Sequence, residues 1–200
     1  MAKGFNEREK DAIRQKLMDA AEVCWRKYGL KKTSVDELVG MVNISKGSFY
    51  LFYPTKEHLF MDVFERIDTR SKKELFRIIQ NSQGSKKEIF VSIIMQMYKD
   101  VKKTPWILNM HHGDLELLLR KLPPERVERH LKDDDSTAVE LFKLLDIETD
   151  VDPEIISGAM RSIFLMLLHK QEIGEEIFDD VIAYLVEAIT LKLFKGVQEK

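Results

Sequence analysis

Apolar residues recur along this chain at intervals of three and four almost throughout. Ile13, Leu17, Ala20, Ala21, Cys24 and Tyr28 form the first such stripe, the pattern of an amphipathic helix. Gly29 stands where a left-handed cap would end it. Ser34-Val35-Asp36-Glu37 has the capping-box spacing, in which the Ser34 hydroxyl accepts from an orphan N–H while Glu37 reaches back. A short helix is therefore predicted from Val35 to about Met41, burying Val35, Leu38 and Val39. Asn43 tolerates the left-handed conformation of a tight turn, and Ser45 caps a third helix running through Phe52. Pro54 stops that helix, since the residue before a proline disfavours the helical region. Thr55 opens a long helix carrying Leu59, Phe60, Val63, Phe64, Ile67, Leu75 and Ile78. Beyond the turn at 81–85, the spacing predicts helices at roughly 86–103, 105–121, 124–146, 153–171 and 175–195, with Pro105, Pro124 and Pro153 at their starts. No alternation of period two appears, so the fold class is all-α.

Residues 43–56, NISKGSFYLFYPTK, fit neither a core nor a loop. A core strand would not tolerate Lys46 and Gly47, and a solvated loop has no use for Phe49, Tyr50, Leu51, Phe52 and Tyr53 in a row. Three helices within 53 residues, the last two joined by a turn of about four, match a helix-turn-helix. In that motif the last helix lies in the major groove of DNA. Ile44, Phe49 and Phe52 then face inward on Ala21, Trp25 and Leu38, while Lys46, Gly47, Ser48, Tyr50 and Leu51 face outward. Lys46 and Ser48 can donate to phosphate or a base edge, and Tyr50 to phosphate. Leu51 can make only apolar contact, for instance with a thymine methyl. Gly47 lets the backbone approach closely, and Lys56 adds a cation beside the N–H groups that open the next helix.

Charge changes this picture modestly. The net charge is −2, but residues 1–60 hold 11 Lys and Arg against 8 Asp and Glu, leaving the remainder at −5. The positive third coincides with the unusual stretch and permits a polyanionic partner. At 200 residues and 44% hydrophobic, the chain can bury one sizeable core, or a core with a satellite domain. Its single cysteine, Cys24, excludes an internal disulfide or a cysteine-based metal cluster and falls on the apolar stripe as an inert core thiol. No apolar run approaches the ~18 residues of a membrane span, and MAKGFNEREKD lacks the apolar core of a secretory signal. A cytoplasmic protein with no membrane partner is expected.

The run from Thr33 to Leu59, TSVDELVGMVNISKGSFYLFYPTKEHL, resembles the DNA-binding signature of the TetR family of bacterial transcriptional regulators. Ala20-Ala21, Trp25 and Gly29-Leu30 fit that family's first helix, and the likeness covers roughly residues 10–60. Asn43 stands for a usual Gly, Val42 for Ala and Phe49 for Leu, which are turn or packing variants. Leu51 stands for a frequent His and bears on which operator is read. The resemblance implies a helix-turn-helix DNA-binding domain at 1–55 and a larger helical effector-binding and dimerisation domain at 56–200. It implies a homodimer, joined mainly through the last two long helices, that binds a double-stranded operator with inverted-repeat symmetry. Most such regulators are repressors released by a small molecule. The DNA contacts carried over are Ser34, Ser45, Lys46, Gly47, Ser48, Tyr50, Leu51 and Lys56.

Methionine and aromatic residues in the larger portion suit an adaptable pocket for an apolar or amphipathic effector, with Met97, Trp106, Met110 and Phe164 as its walls. Residues 157–168 and 181–194 are apolar almost all round, which calls for partners on every side. No catalytic constellation, cofactor motif or metal set is expected. The rival reading is a helical metalloenzyme using His111, His112, Asp114 and Glu116, but adjacent helical histidines diverge by about 100° and rarely share an ion. A third reading, the same fold bound to a protein, is separated from DNA binding by salt-dependent affinity for duplex. Asp133, Asp134 and Asp135 read as a solvated acidic face.

Overall fold

The computed structural model describes residues 5–102 and 113–194, and all regular structure among them is helical. Two compact units emerge: the first holds the chain up to Thr69 with residues 113–127, the second the chain from Arg70 and again from Glu128. That division differs from a boundary at 55/56, because the next long helix is shared between the units.

In the first unit, α1 (Glu7–Tyr28) starts at a full capping box in which Asn6 and Glu9 bond reciprocally. Its buried stripe is Leu17, Ala20, Ala21, Cys24 and Trp25. Tyr28, expected on that stripe, is 41% exposed; the larger Trp25 ring, one turn earlier, fills the interior against Phe60 with centroids 5.2 Å apart. Gly29 ends the helix at φ +81°, a conformation open to few other residues. The short α2 (Val35–Val42) buries Leu38 and Val39, and Val35 is only partly covered. Asn43 turns the chain in the left-handed region, and α3 (Lys46–Phe52) follows from the Ser45 cap. Tyr53, in extended conformation before Pro54, ends α3 as the proline rule requires.

The long α4 (Lys56–Asn81) contributes Leu59, Phe60, Met61 and Val63 to the first unit. Arg66 ties it to α1 through Asp19 and Glu22, each at 2.7 Å. In place of one helix over 105–121, the described portion begins at Gly113, whose φ of +78° excludes a continuous helix there. From it α6 runs Asp114–Lys121. Arg126, in the first turn of α7 (Pro124–Leu144), pairs with Asp62 and Glu65 of α4.

The second unit packs the later turns of α4 and α7 with α5 (Lys86–Lys102), α8 (Pro153–Met166) and α10 (Phe178–Leu193). Its core includes Leu75, Phe90, Ile93, Phe142, Ile163, Phe178 and Ile182. The helix predicted over 153–171 tightens into a 3-10 turn at Leu167–His169 before the four-residue α9 (Lys170–Ile173). The acidic run is not a solvated face. Lys72 takes Asp133 at 2.6 Å and Asp134 at 2.9 Å, and Arg161 reaches Asp134, Asp135 and the buried Ser157. Only Asp133 remains largely exposed.

Asp114 is 1% exposed and accepts from three N–H groups: Trp25 Nε1 at 3.1 Å, Leu30 at 2.6 Å and Lys31 at 3.3 Å. Each buried donor left unpaired costs about 1–3 kcal/mol. Asp114→Ala is expected to lower unfolding stability by at least about 3 kcal/mol, read by urea denaturation followed by circular dichroism. A loss below about 1 kcal/mol would remove Asp114 from the supports of the fold.

Candidate nucleic-acid interface

The candidate surface is built by two caps and a left-handed residue. The Ser34 hydroxyl accepts from the Glu37 N–H at 3.1 Å and starts α2. Asn43, at φ 58° and ψ 49°, redirects the chain, with its own N–H and that of Ile44 both returning to Val39 O. The Ser45 hydroxyl accepts from the Ser48 N–H at 3.0 Å and meets the Ser48 hydroxyl at 2.8 Å. Those bonds fix where α3 begins, and therefore which of its residues look outward.

Phe49 is wholly buried and anchors α3, while Tyr50 is 51% and Leu51 75% exposed. Tyr50 and Leu51 are adjacent on the outer side of α3, opposite the buried Phe49, and are open to an external surface. Phe52 is partly covered, with its ring 5.9 Å from that of Phe5, which precedes α1. Tyr53 turns away from Tyr50's side: it is 4% exposed and donates its hydroxyl to Asp62 Oδ2 at 2.9 Å. Burial, and then the Asp62 carboxylate, push the Tyr53 phenol well above its ordinary range.

Lys46 is exposed, and its ammonium lies 2.9 Å from Asp36 on α2. That hydrogen bond and charge raise the Lys46 pKa. An exposed pair of this kind is worth little net, so Lys46 can exchange Asp36 for a phosphate at small cost. Gly47 has room around it, since an added Cβ would meet only Ser45 Oγ at 3.8 Å.

Lys56 is less open than a surface phosphate ligand. Its Nζ donates to Leu30 O at 2.9 Å and Thr33 O at 2.6 Å. Thr33 in turn donates its hydroxyl to Gly29 O at 2.8 Å. With Asp114 on the N–H groups of Leu30 and Lys31, the whole turn between α1 and α2 is held from both its donor and its acceptor sides. Asp114 is thereby occupied within the protein, which removes it from the metal set proposed with Glu116; His111 and His112 lie outside the described residues. Cys24 is 1% exposed, 3.6 Å from Met41 Sδ, and burial pushes its thiol up, as befits an inert core residue.

Of the four residues expected to line an effector pocket, Trp106 and Met110 lie outside the described residues. Met97, like Met95, Met160 and Met166, packs against the second unit's core, and Phe164 is half-buried on α8. An open groove of about 380 Å³ in this unit is lined by Val139, Phe142, Lys143, Asp146, Ile147 and Pro153, and includes neither Met97 nor Phe164. Among the described residues no helix is long and apolar enough to cross a membrane.

Residues 17–63, which carry all these reading-surface residues, match the family described as bacterial regulatory proteins, tetR family. The chain is 22% identical over 179 residues to the uncharacterized HTH-type transcriptional regulator YhgD of Bacillus subtilis (strain 168), covering 88% of this chain and 93% of that protein. A TetR-family transcriptional regulator from Pectobacterium atrosepticum has a similar structure, with a TM-score of 0.69 at 19% identity over 98% of this chain and 100% of that one. Thermus thermophilus FadR, a TetR-family transcriptional repressor solved in complex with lauroyl-CoA, gives a TM-score of 0.66 at 18% identity over 94% and 96%. Likenesses at such identity show the fold, and the matched segment supplies the DNA-binding helices. Over residues 17–63 the chain thus matches the tetR family of bacterial regulatory proteins, and over nearly its whole length it shares the fold of TetR-family transcriptional regulators.

Proposed function

We propose that the protein is a ligand-released repressor that binds an inverted-repeat operator as a homodimer. The observation that carries the reading is the pair Tyr50 and Leu51, 51% and 75% exposed on a helix whose opposite face is sealed by Phe49. One reading helix per chain covers too little surface for tight specific binding, which favours a symmetric pair of half-sites. Ser34, Ser45, Lys46, Gly47, Ser48 and Tyr50 serve the phosphates and the groove edge, and Leu51 contacts base methyls. Lys56 keeps one of its three N–H donors for a phosphate, the other two being committed to Leu30 and Thr33.

Dimerisation is assigned to α8 and α10. Their exposed apolar residues include Ile155 and Leu165 on α8, and Tyr184 and Leu191 on α10 at 73% and 53%. Gly158, Ala159 and Ser162, with Ala183 and Ala188, keep these faces low enough for close helix packing. The effector is an apolar or amphipathic small molecule held among Met97, Trp106, Met110 and Phe164. The lauroyl-CoA bound by Thermus thermophilus FadR is of that amphipathic kind. The α4 helix, which starts at Lys56 beside the reading surface and ends at Asn81 in the second unit, carries the response. Coupling of about 1–3 kcal/mol is the usual size for such a link, and a shift of a few ångströms spoils a spacing of about 34–36 Å between half-sites.

Selection from random duplex DNA is expected to return an inverted repeat whose affinity falls steeply with salt. Affinity that stays at the non-specific level, and flat with salt, would end the regulator reading. Leu51→Ala and Lys46→Ala are expected to change the selected sequence, whereas Tyr50→Phe weakens binding about equally across sequences. Lys56→Ala is expected to weaken binding and also to lower stability by about 1–3 kcal/mol, because two carbonyls lose their donor. For the interface, Tyr184→Arg combined with Leu191→Arg is expected to give a folded monomer by sedimentation, and an intact dimer would overturn the assignment. A ligand that releases DNA must bind more weakly to the operator complex by the same factor; equal affinity with and without operator rules out the release mechanism.

A further inference from the structure

Gly40 stands in the interior of α2 and is exposed to solvent. Its φ is not positive, so its backbone conformation suits any residue. Apart from its chain neighbours and the backbone of its own helix, no atom of the described residues lies within 4 Å of the position a Cβ would take. Gly29 differs on both counts, with φ at +81° and Asp114 Oδ2 only 3.0 Å from an added Cβ. A helix interior is less stable with glycine than with alanine. Neither conformation nor crowding within the chain explains why position 40 bears that cost.

The surroundings indicate what lies outside. Asp36, one helical turn earlier, shares the face of Gly40, and Lys46 neutralises it at 2.9 Å. Further along, Met41, Asn43, Ser45, Lys46, Gly47, Tyr50 and Leu51 are all exposed. Gly40 therefore belongs to a strip continuous with the reading helix. In a helix-turn-helix, the helix before the reading helix crosses the sugar–phosphate backbone.

We propose that Gly40 is a positioning residue, at which the operator's sugar–phosphate backbone lies directly against the main chain of α2. The missing Cβ is the room this contact needs. A side chain here would lift α2 from the duplex and draw Tyr50 and Leu51 back from the base edges. The Cα hydrogens of Gly40 add only weak contacts to oxygen, so the effect is one of distance. This inference rests on the DNA-binding function described above.

The experiment uses the full-length protein and a duplex that the parent protein has selected from a random pool. Dissociation constants on that duplex and melting temperatures are measured for the parent and for Gly40→Ala at one salt concentration. The two readouts are expected to move in opposite directions. Gly40→Ala melts roughly 2–4 °C higher and binds about tenfold or more weakly. A merely structural glycine would not separate them in this way. Binding within about threefold of the parent overturns the proposal and leaves the DNA-binding function standing. A melting temperature below the parent's also overturns it, because the added methyl would then be meeting the protein itself. If the parent selects no duplex, the DNA-binding function fails, and this proposal with it.

Discussion

A carboxylate removed from water must have its charge answered by donors, and Asp114 is answered by Trp25, Leu30 and Lys31. Two of those donors are consecutive peptide N–H groups in the turn that leaves α1. The carbonyl of Leu30, on the other side of the same residue, is taken by the Lys56 ammonium. One anion and one cation thus hold opposite polar groups of a single turn. An Ala at position 29 would bring its Cβ within 3.0 Å of Asp114 Oδ2 and demand an unfavourable φ, so the glycine is part of the same device. Everything that faces DNA follows from where this turn ends. It delivers Ser34 to cap α2, and the length of α2 delivers Asn43, Ser45 and the reading helix.

Local chemistry made the reading head legible. Ser34, Asn43, Ser45 and Pro54 act through bonds to near neighbours or through their own backbone preferences, and the structure has each doing what its spacing predicts. The inward Phe49 and outward Leu51 follow from helical period alone. What the sequence hid are partners far along the chain. Asp114 is 89 residues from Trp25, and no period or motif announces that pairing. Lys56 sits at a helix N-terminus, a place that suits a phosphate clamp, yet carbonyls 23 and 26 residues away claim two of its donors. Tyr28 illustrates the limit of stripes: period places it inside, but the helix ends there and Trp25 has already filled the space.

The second unit shows the same limit in its charges. A triple aspartate in a polar stretch looks solvated, yet Lys72 on α4 and Arg161 on α8 hold two of the three carboxylates partly buried. Asp134 is shared between the two cations, so the pairs join three helices through partly buried charges. The seam therefore specifies which faces of α4, α7 and α8 meet, a choice that apolar packing alone leaves open. Tyr98 and Lys102 on α5 do the same at Asp179 on α10.

The reading helix α3 has seven residues, fewer than two turns. A segment so short cannot repay the cost of nucleating a helix in water, so by itself it would be mostly coil. Its helicity is lent by the wholly buried Phe49 and by Tyr53, whose hydroxyl is fastened to Asp62. The backbone amides of α3 should then exchange with solvent only when the first unit opens as a body, rather than by fraying from one end. A surface of this kind has no half-formed state in which to rest on DNA, and its shape and the cooperativity of its fold are a single property.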